Sequence, residues 1–239
     1  MKKLSELSVV LPCYNEEGNV ERVVNNCLKI IPKFAKDFEI IVVNDGSKDK
    51  TGEIADKLAA KNKKVVVVHH PKNRGYGAAL RSGFYKASKE WVFYTDGDGQ
   101  FDLNDLAEIL PLLDKYDIVS GYRKKRRDPF IRKVNAFLWT SLVRLLFGIP
   151  LRDVDCAFKI YPRKMFQQME LYSEGALIDT EVLAKAKLLR YRIGETGVNH
   201  LPRVAGKQTG AKLSVIIKAF KELFKLRMRI KKEIHPDTN

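Results

Sequence analysis

The stretch "WVFYTDGDGQFD", residues 91–102, places two carboxylates, Asp96 and Asp98, directly after an apolar run. An apolar run of this length is typical of a strand buried in a sheet, and the glycines and aspartates after it favour a turn. Mg²⁺ and Mn²⁺ prefer such oxygen ligands, usually one or two carboxylates completed by substrate phosphates and water. Gln100, two residues further on, offers a side-chain carbonyl as a further ligand or as a group that orients a metal-bound water. An isolated Asp-x-Asp also occurs in solvated turns, so the surrounding fold decides between a metal site and a turn.

Short apolar runs alternate with helical stretches on both sides of this strand. The predicted strands of the first half cover residues 7–12, 39–45, 64–70, 91–96 and 117–122. Helices are predicted between them, over residues 16–31, 75–87 and 103–115 and after residue 47. This alternation predicts an α/β fold with a mostly parallel central sheet and helices on both faces. Since such sheets bind ligands beyond the carboxyl ends of their strands, we expect four polar segments to meet there: residues 13–17, 44–47, 69–77 and 96–100.

The second half of the chain breaks this rhythm. The basic segment "YRKKRRDPFIRK", residues 122–133, leads into an amphipathic helix. A strand over residues 153–163, a helix over residues 178–189 and a strand over residues 191–202 follow. No internal repeat or low-complexity linker separates these elements. The sequence therefore predicts one domain with a C-terminal appendage over residues 211–239.

Composition and charge narrow the class of protein. The chain has 239 residues, with 44 Lys and Arg against 29 Asp and Glu and a formal net charge of +15. A solvated basic surface is one explanation, but the clustering favours anionic partners such as phosphorylated ligands or acidic lipid headgroups. Three widely spaced cysteines without a CxxC pair suit a reducing compartment. We find no signal-peptide pattern and no run approaching the roughly 18 apolar residues of a spanning helix, so we expect a cytoplasmic protein.

The phosphate-binding motifs of other nucleotide enzymes are absent from the sequence. No Gly-x-x-x-x-Gly-Lys-Ser/Thr occurs, which excludes a P-loop. The third glycine of "GYGAALRSG", residues 75–83, is misplaced for a dinucleotide fingerprint, and a helix start packed tightly on the sheet is as good an explanation as ligand contact. No nucleic-acid motif or array of stacking aromatics is present, so we expect no nucleic-acid partner.

Four stretches, taken together and in order, resemble the family 2 glycosyltransferases, whose catalytic domain is the nucleotide-diphospho-sugar-binding GT-A fold. They are "VVLPCYNEEGNV", "EIIVVNDGSKDKT", "HHPKNRGYGAAL" and "YTDGDGQFD". The resemblance implies that Asp96, Asp98 and Gln100 hold a Mg²⁺ or Mn²⁺ ion on the diphosphate of a sugar nucleotide. It also implies donor-binding roles for Pro12, Tyr14, Asn15, Glu16, Asp45, Arg74, Gly75, Asp96 and Gly97. Many members have two aspartates where this chain has Asn44-Asp45.

Beyond these stretches the chain looks like the polyprenyl-phosphate sugar synthases of the dolichol-phosphate mannose synthase type. The matching pieces are "SGYR", "IRKVNAFLWTSLVRLLFGIPLRDVDCAFKIYPR" and "YRIGETGVNHLPRVAGKQTG". The resemblance implies a GT-A catalytic domain over residues 1–210, with a sugar-nucleotide half over residues 1–122 and an acceptor half over residues 123–210. It also implies that Arg123, Arg132 and Arg203 lie near phosphates of donor or acceptor. The family's Gly-Glu-Ser-Lys stretch reads "GKQT" here, with Lys207 displaced as a candidate acceptor contact.

The resemblance implies inverting transfer of a hexose, mannose or glucose, from a GDP- or UDP-sugar to a polyprenyl or dolichyl phosphate. A phosphate monoester is an anion near neutral pH and needs no base, so arginines that grip its oxygens are sufficient. A sugar hydroxyl in polysaccharide or glycolipid synthesis is the alternative acceptor and requires a general base. Asp153 and Asp155 are the candidate bases, and turn residues paired with Arg or Lys are their alternative role. The expected catalytic residues are Asp98, Arg123, Arg203 and Asp153.

The C-terminal stretch predicts a basic amphipathic helix. Its apolar residues recur at helical spacing: Leu213, Ile216, Ile217, Phe220, Leu223 and Phe224. Such a helix suits an anionic membrane surface, whereas docking on the domain or on a second subunit is the alternative. The basic run Lys124–Arg127 could lie beside lipid phosphates. We expect peripheral association with the cytoplasmic face of a membrane, or reliance on a membrane-protein partner.

Overall fold

Seven strands form one sheet in the computed structural model, which describes residues 3–124, 130–202 and 222–230, without the side chains of residues 130–134. The strands are β1 Leu4–Cys13, β2 Ala35–Asn44, β3 Val65–His69, β4 Trp91–Thr95, β5 Ile118–Lys124, β6 Phe158–Pro162 and β7 Ile193–Asn199. The helices are α1 Val20–Ile30, α2 Thr51–Lys61, α3 Tyr76–Lys86, α4 Leu106–Ile109, α5 Phe130–Phe147, α6 Arg163–Phe166 and α7 Ile178–Leu188. Residues 222–230 form a further helix, α8.

The sheet is mostly parallel, as the alternating pattern predicted. Its order is β3-β2-β1-β4-β6-β5-β7, and β1 to β4 are parallel neighbours, as are β5 and β7. Only β6 runs antiparallel among these strands, to β4 on one side and β5 on the other. This reversal places the start of β6 beside the end of β4, with Phe158 opposite Thr95. Residues that precede β6 therefore lie at the same edge as Asp96 and Asp98.

The central strands are apolar on both faces because helices cover both sides of the sheet. Val9, Val10 and the run Ile40–Val43 have no solvent-exposed surface, and Phe93 between them and β6 is equally buried. Burial on both faces leaves few positions for polar side chains within the strands. Most candidate functional groups consequently lie in the loops that follow the strands, and Arg123 lies near the end of β5.

Two predicted elements differ from the structure. The single helix predicted over residues 103–115 is split into a 3₁₀ turn Leu103–Asp105, the short α4, and a second 3₁₀ turn Leu110–Asp114. Pro111 lies at the start of that second turn, where its missing N–H prevents a continuous ladder of helical hydrogen bonds. The strand predicted over residues 153–163 begins only at Phe158. The residues before it form a loop in which Asp153 binds Arg123 of β5.

The described part of the C-terminal segment packs on the domain. Leu223, Leu226 and Ile230 of α8 are buried in the core at helical spacing, whereas Phe224 and Met228 are more than half exposed. One face is therefore docked and another remains open. No helix among the described ranges is both long and apolar enough to cross a bilayer.

Candidate active site

The loops that follow β1 and β2 are joined by reciprocal hydrogen bonds. The Asn15 backbone N–H donates to Ser47 Oγ at 3.0 Å, and Asn15 Oδ1 accepts from the Lys48 backbone N–H at 2.8 Å. The Glu16 N–H donates to Thr51 Oγ1 at 2.8 Å. Asn15 holds a positive φ of 55°, a conformation that asparagine tolerates better than most residues. These contacts bring the first two predicted donor segments together and leave Tyr14 exposed at their surface.

Asp45 organises the loop after β3. It is 2% exposed, and its carboxylate accepts from the backbone N–H groups of Arg74 at 2.9 Å and Gly75 at 2.8 Å. His70 Nδ1 lies 2.6 Å from Asp45 Oδ1, and His70 Nε2 lies 2.8 Å from Ser82 Oγ. Asp45 therefore shapes the loop that carries Arg74 and Gly75. Its predicted contact with the nucleoside stays a prediction.

The third and fourth segments meet through Tyr76, the first residue of α3. Its hydroxyl donates to Asp96 Oδ1 at 2.9 Å. The fourth segment in turn packs on the first, because a Cβ atom at Gly97 would lie 2.5 Å from Cys13 Sγ and 2.9 Å from the Pro12 carbonyl oxygen. The four polar segments thus converge at one edge of the sheet.

Asp96, Asp98 and Gln100 present an all-oxygen donor set at this edge. Asp98 and Gln100 are less than a tenth exposed. Gln100 Nε2 donates to the Leu201 carbonyl at 3.1 Å, which leaves its Oε1 without a hydrogen-bond partner among the described residues. Burial raises the pKa of Asp96 to about 7, with a further rise from Asp98 and an opposing effect of the Tyr76 hydroxyl. A buried carboxylate and a partly buried one, two residues apart, are costly without a cation, so the residues fit Mg²⁺ or Mn²⁺.

The candidate metal site has only two acidic ligands. Within the described ranges, no three His, Cys, Asp or Glu side chains gather as a metal centre. Two carboxylates and one carboxamide, each giving one oxygen, leave about half of the positions of an octahedral ion to phosphate and water, as is usual for Mg²⁺ with nucleotide substrates.

Arg22 is a residue of this loop that the sequence did not single out. Its guanidinium donates to the Asp98 carbonyl at 3.0 Å and to Asn19 Oδ1 at 3.2 Å, and it lies against Gly99, which has a positive φ of 72°. A Cβ atom at Gly99 would lie 2.4 Å from the guanidinium. Arg22 thereby supports the loop from α1, and only its distant position in the sequence concealed it.

Arg123 and Asp153, two predicted catalytic residues, bind each other. Nε and Nη2 of Arg123 each donate to a different oxygen of Asp153 at 2.7 Å. The hydrogen bond and charge of Asp153 outweigh the effect of burial and raise the pKa of Arg123 above its ordinary value. Arg123 Nη1 has no hydrogen-bond partner among the described residues.

Asp155 differs from Asp153 in having no such partner. It is partly buried and makes no hydrogen bond or ion pair within the described part of the chain. Burial raises the pKa of Asp155 to about 6, and the charges of Asp179 and Asp153 add to the rise while Lys159 and Arg123 oppose it. Of the two predicted base candidates, Asp155 is the one with an uncommitted carboxylate.

Three predicted phosphate contacts lie outside the described residues. Arg203 and Lys207 are among them, as is the side chain of Arg132 on α5. Their roles stay predictions. Lys124 is described at the end of β5, where it is exposed.

Comparison with known proteins identifies the family. Residues 8–169, more than half of the chain, match the family described as Glycosyl transferase family 2. The chain belongs to glycosyl transferase family 2. The predicted resemblance to this family is thereby confirmed.

Relatives in this family include polyprenyl-phosphate sugar synthases. Glycosyltransferase AglD of Haloferax volcanii is 33% identical over 83% of this chain, and human dolichyl-phosphate beta-glucosyltransferase is 31% identical over 81%. Dodecaprenyl-phosphate galacturonate synthase of Rhizobium johnstonii is 31% identical over 84%. The chain spans 33%, 67% and 60% of these three proteins, respectively.

Two solved structures share the architecture of this chain. Glucosyl-3-phosphoglycerate synthase from Mycobacterium tuberculosis, in complex with Mn²⁺, UDP and phosphoglyceric acid, superposes with a TM-score of 0.72 at 18% identity, covering 93% of this chain and 78% of that one. TarS residues 1–349 from S. aureus give a TM-score of 0.63 at 22% identity, covering 97% and 66%. At these identities the likeness establishes the fold, which is GT-A as predicted.

Proposed function

We propose that this family 2 protein is an inverting glycosyltransferase that moves a hexose from a nucleotide sugar to a polyprenyl phosphate. The observation that carries the proposal is the meeting of Asp96, Asp98 and Gln100 with the Asp153-held guanidinium of Arg123 at one edge of the sheet. The charge of Arg123 acts on the pKa of Asp96, which supports their proximity. The names of the human and Rhizobium relatives support the acceptor class.

Asp96, Asp98 and Gln100 would hold a Mg²⁺ or Mn²⁺ ion. When bound, such an ion supplies positive charge to the diphosphate leaving group. Asp96 receives its orientation from Tyr76, and Asp98 from the Gln100 backbone N–H, which donates to Asp98 Oδ1 at 3.0 Å. The loop segments around Asn15 and Arg74 would contact the nucleoside and its phosphates.

The transfer forms a bond between C1 of the sugar and a phosphate oxygen of the acceptor, while the bond from C1 to the diphosphate oxygen breaks. The nucleoside diphosphate leaves with the bonding electron pair, and an anionic acceptor surrenders no proton. Arg123 would bind a phosphate through Nη1, since Nε and Nη2 are held by Asp153. Arg132, Arg203 and Lys207 are proposed to complete the cationic acceptor site, within residues 123–210.

The donor sugar is proposed to be glucose or mannose, carried on UDP or GDP. The glucosyl name of the human relative makes UDP-glucose the first donor to test, with GDP-mannose second. This chain has Asn44 where many family members have an aspartate, so a carboxamide lies at the end of β2. Asn44 Nδ2 contacts His69 Nδ1 at 3.1 Å.

Transfer to a sugar hydroxyl is the second candidate function. The specific observation that favours it is Asp155, whose carboxyl makes no hydrogen bond or ion pair with the described residues and has a pKa raised to about 6, near the value that suits a general base. The two functions differ in their response to Asp155→Asn. Loss of this carboxylate should abolish transfer to a hydroxyl, whereas transfer to a phosphate needs no base and should continue.

The deciding experiment offers purified protein UDP- and GDP-sugars labelled in the sugar, with Mn²⁺ or Mg²⁺ and a short polyprenyl phosphate. Label that enters the lipid phase with wild type and with Asp155→Asn supports the proposed function. Label that enters only water-soluble acceptors and disappears with Asp155→Asn supports the hydroxyl acceptor. Absence of any transfer, with every donor and both acceptor classes, would contradict both.

We further propose peripheral association with the cytoplasmic face of a membrane, through the exposed face of α5 and the C-terminal segment over residues 211–239. Phe137, Leu138 and Leu145 of α5 are 69%, 57% and 81% exposed, and Arg144 beside them is exposed as well. Large apolar side chains flanked by cations suit an anionic lipid surface. Co-sedimentation with anionic vesicles should weaken in Leu145→Glu and remain unchanged in Lys57→Gln, which makes the same change of charge on the distant helix α2. Equal binding by wild type and Leu145→Glu would contradict this surface.

A further inference from the structure

A fully buried carboxylate on α7 holds the segment of residues 172–175, the 172–175 loop. Glu181 has no exposed surface, and its oxygens accept from the backbone N–H groups of Tyr172 at 3.0 Å and Ser173 at 2.7 Å. The ammonium of Lys185 lies 3.6 Å from Glu181 Oε1 and is almost as deeply buried. A buried carboxylate is costly unless it is hydrogen-bonded and paired, and this one is both. Glu181 therefore fixes the start of the 172–175 loop.

The other end of the 172–175 loop packs on the first turn of α3. The Glu174 carbonyl accepts from the backbone N–H groups of Gly77 at 2.8 Å and Ala78 at 3.3 Å. A Cβ atom at either Gly75 or Gly77 would lie 2.5 Å from a carbonyl oxygen of the loop. The loop approaches this closely because neither position carries a side chain. Two N–H groups of the helix start are thus bound by the loop, which fixes the position of this turn.

The segment of residues 74–76 is held from two sides. Asp45 accepts from the backbone N–H groups of Arg74 and Gly75, and the Glu174 carbonyl binds the N–H groups directly after Tyr76. The segment carries two side chains toward the site. Arg74 is exposed, with Nη2 only 3.8 Å from the Glu174 carboxylate, and the Tyr76 hydroxyl donates to the candidate metal ligand Asp96. A shift of the 172–175 loop would therefore displace both side chains.

We propose that Glu181 and the 172–175 loop it holds are positioning elements for the donor nucleotide, acting through the first turn of α3 on Arg74 and Tyr76. This inference rests on the proposed function, since it takes residues 74–76 to contact the donor. Glu181 acts through the backbone of the loop, so it is a positioning residue and not a catalytic one. A purely structural carboxylate would instead change stability and leave the nucleotide affinity of the folded protein unaltered.

The first test releases the loop from α7. Glu181→Leu combined with Lys185→Met removes the acceptor of the two loop N–H groups and leaves neither charge buried alone. Binding of UDP and of GDP to the full chain, with MnCl₂ present, is measured by isothermal titration calorimetry. The dissociation constant for the nucleotide should rise about 10-fold, a usual size for residues that touch neither ligand. Equal affinity in wild type and the combined variant would overturn the inference.

Glu39→Leu is the matched control for this test. Glu39 of β2 also accepts a backbone N–H, that of Ser88 at 2.7 Å, but Ser88 precedes β4 whereas Asp96 follows it. The control should therefore lower the midpoint of thermal denaturation and leave the nucleotide affinity of the folded protein unchanged. Affinity lost equally in Glu39→Leu would show a general effect of destabilisation and overturn the inference.

The second test separates the loop from α3 while Glu181 stays in place. Gly77→Ala puts a methyl group 2.5 Å from a loop carbonyl, so the loop or the helix start must move, and the nucleotide dissociation constant should again rise about 10-fold. Gly175→Ala is the control, since no atom lies within 4 Å of its added Cβ. Equal affinity in the two glycine variants would overturn the inference. Should the combined Glu181 variant not fold, this comparison decides the matter alone.

The outcomes separate this inference from the proposed function. Wild-type protein that binds neither UDP nor GDP contradicts the proposed donor and the inference with it. Wild-type protein that binds nucleotide no more tightly than the combined variant and Gly77→Ala leaves the function standing and removes only the positioning role.

Discussion

Asp153 holds Arg123 in a two-point ion pair at the carboxyl edge of the sheet. Both contacts are 2.7 Å long, and the Arg123 backbone N–H adds a third at 3.3 Å. The side chains are 16% and 9% exposed. Because the planar guanidinium matches a carboxylate in this geometry, Asp153 fixes which Arg123 nitrogen faces the cleft. This pairing favours a positioning role for Asp153 over a role as general base.

Asp153→Ala should destabilise the protein by about 3 kcal/mol, because it leaves a largely buried guanidinium without its partner. Urea denaturation followed by circular dichroism measures the loss. Asp117→Ala is the matched control, since Asp117 makes the same kind of two-point contact with Arg192, but at an exposed site where the pair contributes little. Comparable losses in both variants would contradict a special contribution of the buried pair.

Gly97→Ala should lower the free energy of unfolding by roughly 1–3 kcal/mol and weaken donor binding, because its methyl group would overlap Cys13 Sγ and the Pro12 carbonyl. The contact lies where the end of β1 meets the candidate metal loop, so relief of the overlap must move one of them. Gly175→Ala serves as control, as no atom lies within 4 Å of its added Cβ. Thermal denaturation and nucleotide titration measure the two effects. A Gly97→Ala protein as stable as Gly175→Ala would show that the packing here is looser than described.

Asp98→Asn should reduce sugar transfer by about 100-fold or more, because a neutral amide lacks the negative charge that binds the cation. The amide oxygen still accepts the hydrogen bond from the Gln100 N–H. Addition of EDTA to wild type should produce a loss of the same order, restored by excess Mn²⁺. The control is Asp102→Asn, in the same loop, where the carboxylate caps a 3₁₀ turn through the Asn104 N–H. Transfer that persists in EDTA would argue for a metal-independent reaction.

Asp155→Asn should stabilise the protein above pH 6 and leave its stability unchanged near pH 4. The folded-state pKa of about 6 exceeds the ordinary value of 3.8, so the stabilising contribution of the protonated form is present below pH 4 and is lost as the pH rises through 6. The difference between variant and wild type at pH 8 should be on the order of 2 kcal/mol. Urea denaturation at pH 4, 6 and 8 measures it. A constant difference across this range would contradict the raised pKa.

Much of the fold was predictable from local pattern. Runs such as Ile40–Val43 are apolar at every position, which only a strand covered on both faces requires, and the predicted parallel sheet follows from their alternation with helices. The prediction of one helix over residues 103–115 was wrong, because Pro111, a signal present in the sequence, interrupts its hydrogen bonds. The antiparallel direction of β6 has no local signal, since apolar runs look alike in both directions.

The candidate site was predictable where its residues follow a strand and hidden where they do not. Asp96, Asp98 and Gln100 were singled out because they follow β4. Tyr76 lies in the predicted segment 69–77 but was not singled out within it, and Arg22 lies within a helix and carries no pattern that marks it as a neighbour of the acidic loop.

The sequence by itself determined the α/β class, the family and the edge of the sheet where the polar segments meet, because strand periodicity and residue type are local properties. Only the tertiary structure decided which charges pair. Arg123 binds Asp153 across 30 positions, and Lys159 binds Asp179 across 20, whereas Asp155 pairs with none of the described residues. Pairing depends on distances of a few ångströms between distant segments, and those distances are set by the packing of β6 and α7 around the end of β4.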